Sequence, residues 1–288
     1  MKSLNTLVWL VLVCGSGRTF ADEFVVATAS NFLATMNVLA PRFSVESGHS
    51  LTVTSGSTAK LYQQIVHGAP FDVFLSADQV HAGRLVKERK AVASSLVTYA
   101  RGRLVLWAGG KLLTGTPAAL LTDPQWKRIA IANPAVAPYG SAAVEVLTAL
   151  SLKDRVTSRL VYGESIAQAH VMVATGAAQL GMLSRSQVYS ADPGTWIAID
   201  ETLYSPILQD AVLLNRAANN EAARLFMKFL QEAAAKEVIA ANTRFPAGFL
   251  ETRPRRGKAR GRPHRAIEPG GNLADPAPAD GRRQRAVG

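Results

Sequence analysis

Short apolar runs of strand length alternate with segments of helical spacing along most of this chain of 288 residues. Residues 24–28 have the length of a strand, and Leu33, Met36, Ala40 and Phe43 follow them at the spacing of an amphipathic helix. Further strand-length runs lie at residues 51–54, 72–75, 104–107, 128–132, 160–162, 180–183 and 211–214. Repeated strand–helix alternation is typical of mostly parallel sheets covered by helices. We therefore predict an α/β fold, in which ligands bind at the carboxyl ends of the strands.

Hydroxyl and amide side chains stand at several of the corners where a predicted strand leads into a helix. Ser30 and Asn31 follow the first strand, and two later corners cover residues 137–141 and 163–166. The most informative stretch runs from Ser55 to Asp78; it contains the corner with Ser57 and Thr58 and ends in Ser-Ala-Asp. A single corner of this kind is usually an ordinary helix cap. Four that converge would offer free N–H groups and about two positive charges from helix N-termini, which suits a small tetrahedral dianion.

The N-terminus has the pattern of a secretory signal peptide. Lys2 precedes an apolar run at residues 7–13, and small residues lead to Ala21. The run is too short to span a bilayer, which takes about 20 residues. Cys14 is the only cysteine and leaves with the signal, so the mature chain has no disulfide. A lipid anchor on Cys14 is disfavoured by the bulky Val13 before it. We predict that residues 1–21 are a signal peptide and that the protein is periplasmic.

The other end of the chain is rich in Arg, Pro, Gly and Ala. Residues 251–288 carry ten Lys or Arg and four acidic residues, so much of the formal net charge of +11 belongs to them. With few large apolar residues to bury, this segment is predicted to be a disordered basic tail. A nucleic-acid-binding arm is the alternative interpretation. Because the tail lacks aromatic residues among its charges and the protein is exported, we expect no nucleic-acid partner.

Four sequence segments carry a resemblance to a known family. They are Ala-Ser-Asn-Phe at 29–32, Gly-Ser-Thr-Ala-Lys-Leu-Tyr at 56–62, Gly-Ala-Pro-Phe-Asp-Val-Phe-Leu-Ser-Ala-Asp at 68–78 and Asn-Pro-Ala-Val-Ala-Pro-Tyr-Gly at 133–140. Together they resemble the periplasmic molybdate-binding proteins of ABC importers, from about residue 23 to about residue 249. The resemblance implies a two-lobed periplasmic binding protein fold with two hinge crossings, near Arg101 and Tyr204. Lobe one would comprise residues 22–101 plus 204–250, and lobe two residues 102–203.

The same resemblance implies a ligand set of uncharged donors. Its members would be Ser30, Asn31, Ser57, Thr58, Tyr139 and the main-chain amide of Ile166. Some members of the family add a tyrosine where this chain has Ser184, so no contact is predicted there. The implied ligand is molybdate or tungstate, with no cofactor. The implied partner is an ABC permease in the inner membrane, to which a monomeric receptor presents the ligand after hinge closure.

The chemistry of the donor set favours particular anions. Molybdate and tungstate are fully deprotonated near neutral pH and accept hydrogen bonds only, whereas hydrogen phosphate carries a proton that needs an acceptor. A pocket without acceptors therefore disfavours phosphate, provided that Glu164 faces solvent. Sulfate has the same charge and shape but is smaller, so only the size of the cavity could exclude it. The same fold with sulfate or another oxyanion as cargo, or with a sensing role, remains an alternative.

An enzyme is the weaker interpretation. Ser57-x-x-Lys60 matches the nucleophile motif of serine β-lactamases, but the Ser-Asp-Asn and Lys-Thr-Gly motifs of those enzymes are missing. The four histidines of the body show no metal-ligand spacing; they are His49, His67, His81 and His170. No nucleotide-binding glycine loop is present. We therefore predict a binding protein with no catalytic residues and no metal site other than the bound oxyanion.

Overall fold

The computed structural model describes residues 22–243, and the predicted signal peptide and tail lie outside the described residues. Within this range the strands form two five-stranded sheets. The first sheet has the order β2-β1-β3-β10-β4. Its strands are β1 (Glu23–Ala29), β2 (Ser50–Gly56), β3 (Val73–Leu75), β4 (Val97–Gly102) and β10 (Ile207–Leu213). The second sheet has the order β7-β6-β8-β5-β9. Its strands are β5 (Leu104–Trp107), β6 (Ile129–Ala132), β7 (Leu160–Gly163), β8 (Leu180–Ser184) and β9 (Trp196–Ala198).

Each sheet contains one strand that runs against the other four. In the first sheet β10 pairs antiparallel with β3 and β4, and in the second β5 pairs antiparallel with β8 and β9. The pairs β1–β2, β1–β3, β6–β7 and β6–β8 are parallel. Strand β5 is the first strand after the chain passes from the first sheet to the second, and β10 is the first strand after it returns. The predicted α/β architecture is confirmed, with a mixed sheet in each lobe.

Helices cover both sheets. In chain order they are α1 (Leu33–Ser47), α2 (Thr58–Val66), α3 (Gln79–Lys87), α4 (Pro117–Thr122), α5 (Pro138–Ala149), α6 (Lys153–Val156), α7 (Ile166–Ala174), α8 (Glu221–Phe229) and α9 (Ala233–Thr243). We call the first sheet with α1–α3, α8 and α9 the first lobe, and the second sheet with α4–α7 the second lobe. Among residues 22–243, no helix has the length and apolar character that a membrane crossing needs.

Aromatic packing fixes α1 and α8 against the first sheet. The rings of Phe24 on β1 and Phe43 on α1 meet edge to face with centroids 5.8 Å apart. Phe226 on α8 lies 5.3 Å from Phe43 in a similar arrangement. All three side chains are buried, and such aromatic pairs stabilise a core beyond their buried area alone. This core fixes the first strand, β1, against α1 and α8.

The residues at the starts of α7 and α5, the two second-lobe helices next to the site, explain where these helices begin. Helix α7 begins after Ser165, whose hydroxyl accepts a hydrogen bond from the N–H of Gln168 at 3.2 Å, an ordinary N-cap. Helix α5 begins at Pro138, within the predicted corner at residues 137–141. Proline suits the first position of a helix because its missing N–H would have no intrahelical acceptor there. This start places Tyr139 in the first turn of α5.

Candidate functional site

All six residues of the predicted ligand set line one small cavity between the two lobes. Its lining residues are Ala29, Ser30, Asn31, Gly56, Ser57, Thr58, Ala77, Ala137, Pro138, Tyr139 and Ile166. None of them carries a charge. The cavity has a volume of about 10 Å³, which is room for about one water molecule. A tetrahedral oxyanion therefore requires the lining groups to move apart as it enters and to close again around it.

Ser57 and Thr58 contribute hydroxyl groups at the start of α2. The Ser57 hydroxyl is buried, makes no capping bond, and has no hydrogen-bond partner among the described residues. The Thr58 hydroxyl accepts from the N–H of Ala77 at 3.2 Å, which leaves its own proton available. A buried donor without a partner is costly, of the order of 1–3 kcal/mol. Both groups can thus donate to an acceptor in the cavity.

Ser30 and Asn31 contribute from the turn after β1. The Ser30 hydroxyl accepts a long hydrogen bond, 3.4 Å, from the N–H of Ala167 in the second lobe. The side-chain NH₂ of Asn31 donates to Oε1 of Gln209 at 3.0 Å. The side-chain oxygen of Asn31 is buried without a partner among the described residues. Asn31 thus presents an unpaired acceptor as the structure stands, which the sequence-based argument for a donor-only pocket did not anticipate.

Tyr139 and Ile166 contribute from helix N-termini of the second lobe. The main-chain N–H groups of a first helical turn have no intrahelical acceptor, and both residues occupy that turn, in α5 and α7 respectively. The Tyr139 hydroxyl receives hydrogen bonds from two side chains of the first lobe, Gln209 Nε2 at 3.2 Å and Asn31 Nδ2 at 3.5 Å, and is also hydrogen-bonded with Ser184 of the second lobe. The geometry therefore leaves the Tyr139 N–H, rather than its hydroxyl, for a guest.

Burial controls the protonation of this tyrosine. Complete burial raises the pKa of Tyr139 well above its ordinary value, and hydrogen bonds with Ser184, Gln209 and Asn31 oppose that rise only in part. The hydroxyl consequently stays protonated at any physiological pH. A neutral tyrosine adds no negative charge beside the cavity, so it is compatible with an anionic guest.

Sequence reasoning missed a set of buried polar residues that supports the site. Gln209 on β10 is fully buried and contacts Asn31 and Tyr139, and Ser186 donates to the main-chain oxygen of Asn31 at 2.7 Å. The Ser184 hydroxyl lies 2.6 Å from that of Ser186. Ser184 is not among the residues that line the cavity. Sequence offered little signal for Gln209, because it precedes Asp210 and lies outside the predicted apolar run at residues 211–214.

Lys60 and Glu164, each two residues from a residue that lines the cavity, face outward. Glu164 Oε2 lies 2.6 Å from Lys60 Nζ, and both side chains are more than half exposed. The condition that Glu164 faces solvent is therefore met. Lys60 is paired with Glu164, and the Ser57 hydroxyl has no partner among the described residues, so the Ser-x-x-Lys motif forms no activated nucleophile. Among residues 22–243, no cluster of His, Cys, Asp or Glu could hold a metal ion.

Comparison with known proteins gives relatives over nearly the whole described range. A family model for bacterial extracellular solute-binding proteins matches residues 24–242. The molybdate-binding protein ModA of Azotobacter vinelandii is 43% identical over 239 residues, covering 81% of this chain and 95% of that protein. ModA of Rhodobacter capsulatus is 40% identical over 220 residues, covering 76% of this chain and 86% of that protein. The solved structure of the Azotobacter vinelandii periplasmic molybdate-binding protein matches with a TM-score of 0.73 and 39% identity, covering 76% of this chain and 97% of that one.

Proposed function

Because this chain belongs to the bacterial extracellular solute-binding proteins, we propose that it binds molybdate between its lobes and delivers it to an ABC permease. The observation that carries the proposal is the uncharged cavity, where the Ser57 hydroxyl, buried and without a partner among the described residues, lies with the first turns of two helices of the second lobe. Relatives named as molybdate-binding proteins support the choice of cargo. The family consists of binding proteins, and this chain is a receptor rather than an enzyme.

The proposed ligand contacts divide between the lobes. The first lobe supplies the hydroxyls of Ser57 and Thr58 together with Ser30 and Asn31, and the second supplies the N–H groups of Tyr139 and Ile166. Two helix N-termini in the second lobe and one in the first add positive potential without a cationic side chain. Molybdate and tungstate accept hydrogen bonds at every oxygen, so a set of donors can satisfy either of them completely. Tungstate is expected to bind at the same place.

Lobe closure follows from this division. Each lobe alone satisfies only part of the anion, so the ligand favours the state in which both sets of donors reach it. Contacts between the lobes already surround the cavity, including the bond from the N–H of Ala59 to the main-chain oxygen of Val136 at 3.2 Å. We place the hinge crossings near Arg101 and Tyr204, with residues 22–101 and 204–250 in one lobe and 102–203 in the other. The closed monomer would dock on the permease at the periplasmic face of the inner membrane.

A thermal-shift comparison of four oxyanions tests the proposal. Molybdate, tungstate, sulfate and phosphate are each added at the same concentration to the purified chain. A ligand at 100 times its Kd stabilises the folded state by about 2.7 kcal/mol, so molybdate and tungstate should raise the melting temperature by several degrees. Sulfate and phosphate should raise it far less. A shift with phosphate or sulfate but none with molybdate would show that the ligand is a different oxyanion. No shift with any of the four anions would contradict the proposed function.

A further inference from the structure

Two buried amide side chains, Asn31 and Gln209, contact each other next to the cavity. Asn31 lines the cavity, whereas Gln209 on β10 does not. Because Asn31 turns its NH₂ toward Gln209 Oε1, the unpaired oxygen is on the opposite edge of the amide. A carbonyl oxygen beside an oxyanion is unfavourable, since neither group can donate to the other. With its amide in this orientation, Asn31 disfavours the binding of the anion that the other lining residues favour.

The same contact leaves a second group poorly satisfied. The Tyr99 hydroxyl lies 3.2 Å from Gln209 Oε1 and also 3.2 Å from the main-chain oxygen of Ser76. A tyrosine hydroxyl has one proton, so it cannot serve both acceptors fully. Gln209 uses its own NH₂ to donate to the Tyr139 hydroxyl at 3.2 Å. Four buried side chains therefore share one hydrogen-bond network, in which the Asn31 oxygen has no donor among the described residues and Tyr99 has one proton for two acceptors.

Reversing both amides gives the Asn31 oxygen a donor and leaves the Tyr99 proton a single acceptor. A side-chain amide turned by 180° exchanges its oxygen and its NH₂ with almost no change of shape. Gln209 Nε2 then donates to the Asn31 oxygen and to the hydroxyl oxygen of Tyr99, and Tyr99 gives its proton to the Ser76 carbonyl. Gln209 Oε1 accepts the proton of Tyr139. The NH₂ of Asn31 is now free on the edge away from Gln209, where it can donate to an anion.

We propose that Gln209 is a positioning residue that sets the amide sense of Asn31, and that oxyanion binding selects the reversed pair. The inference rests on the proposed function, because only an anion in the cavity supplies an acceptor for the freed NH₂. Gln209 contacts Asn31 of the first lobe and Tyr139 of the second. Through Gln209, which does not contact the ligand, the reversal therefore couples anion binding to side chains of both lobes.

Nuclear Overhauser effects in the full-length protein test the reversal directly. In the sense found here, the side-chain NH₂ protons of Gln209 lie beside the ring of Tyr139. After saturation with molybdate, those protons are expected to show effects to the ring of Tyr99, and the Asn31 NH₂ protons should exchange more slowly with water. Unchanged contacts of the Gln209 NH₂ in a sample that binds molybdate would overturn the inference and leave the proposed function intact.

A substitution gives a second, independent test. Gln209→Met removes the partner of Asn31 at similar volume and should weaken molybdate binding on the order of tenfold, the effect of one lost hydrogen bond to a charged group. Gln231→Met, a half-buried glutamine of the first lobe outside the site, is the matched control and should bind as the wild type does. A Gln209→Met protein with wild-type affinity would overturn the inference. Failure of the wild type itself to bind would remove the proposed function and the inference with it.

Discussion

Lys60 Nζ lies 2.6 Å from Glu164 Oε2, so an ion pair joins the first turn of α2 in the first lobe to the loop before α7 in the second. Thr58 and Ile166, which line the cavity, each lie two residues from a member of this pair. The pair thus bridges the lobes beside the cavity but outside it. Because both side chains are more than half exposed, water and salt weaken their attraction.

Lys60→Met should weaken molybdate binding by less than about fivefold, since an exposed ion pair contributes about 0.2–1 kcal/mol. The loss reflects a less stable closed state, and it should shrink as the salt concentration rises. Calorimetric titrations at low and high salt measure it. Arg84→Met, which removes an exposed pair with Glu88 within α3, is the control and should leave affinity unchanged. A loss of a hundredfold would instead make Lys60 a direct ligand contact.

Thr58→Ala should weaken molybdate binding about tenfold or more, because a buried hydrogen bond to a charged group is worth about 1.5–3 kcal/mol. The substitution also leaves the buried N–H of Ala77 without its acceptor, so the free energy of unfolding should fall as well. Thr58→Ser keeps the hydroxyl and should retain most of the affinity. Calorimetry on the two variants separates the effect of the hydroxyl from that of the methyl group. A Thr58→Ala variant that binds molybdate as tightly as the wild type would exclude Thr58 from the site.

Gly102→Ala should disturb the hydrogen-bond network behind the cavity. A Cβ at this position would overlap the Tyr139 hydroxyl and lie 2.8 Å from Gln209 Nε2. Both side chains are fully buried, so neither can move without repacking, and overpacking of this kind costs about 1–3 kcal/mol. We expect lower stability and weaker molybdate binding, measured by urea unfolding and calorimetry.

The control for this substitution is Gly83→Ala in α3, where a Cβ would have open space around it. Alanine is the better helix former by about 0.5–1 kcal/mol, so this variant should be slightly more stable and bind normally. If Gly102→Ala behaved like Gly83→Ala in both assays, the tight contact between Gly102, Tyr139 and Gln209 would be refuted.

Asp78 should make the stability of the protein depend on pH. Its carboxylate caps α3 by accepting from the N–H of His81 at 2.9 Å and lies 2.7 Å from the His81 ring. Burial acts to raise the pKa of Asp78, but the hydrogen bonds with His81 and Ser76 outweigh it and hold the pKa below its ordinary value. A lowered carboxyl pKa stabilises the folded state above the unfolded value, about 3.9, and this stability is lost as the pH falls through the folded pKa.

Asp78→Ala should therefore lower the free energy of unfolding by about 1 kcal/mol at pH 7, and by less near pH 3. Asn220→Ala removes the cap of α8, an uncharged acceptor of the Ala223 N–H, and its cost should not depend on pH. Urea unfolding at the two pH values measures both. If Asp78→Ala lowered the free energy of unfolding equally at pH 3 and pH 7, the ionised carboxylate of Asp78 would not be what stabilises the fold.

Much of this architecture follows from local sequence. The alternation of apolar runs and helical spacing predicts the longer strands and most helices, because those patterns reflect burial on one face. The resemblance to molybdate-binding proteins of ABC importers is confirmed by the relatives, and so is the two-lobed fold. Strand β9 (Trp196–Ala198), which pairs with β5 at the edge of the second sheet, was missed. Strand β4 was missed because residues 97–102 mix apolar with exposed polar residues.

The residues of the cavity could be predicted, but their supports could not. Ser57 and Thr58 stand in a recognisable segment at a strand-to-helix corner, and the structure brings them to the same cavity as Tyr139 and Ile166. Gln209 is distant in sequence from every other member of the network. Its role depends on where β10 lies between β3 and β4, and pairing over such sequence distances leaves no local pattern.

The proposed function requires that uncharged donors from both lobes meet around one oxyanion. A crystal of the protein grown with tungstate can show this, because the anomalous scattering of tungsten locates the metal without ambiguity. We expect one tungsten peak between the lobes, with anion oxygens within hydrogen-bonding distance of the Ser57 hydroxyl and the Ile166 N–H. A tungsten peak that contacts only one lobe, or a peak elsewhere with these two groups pointing apart, would contradict it.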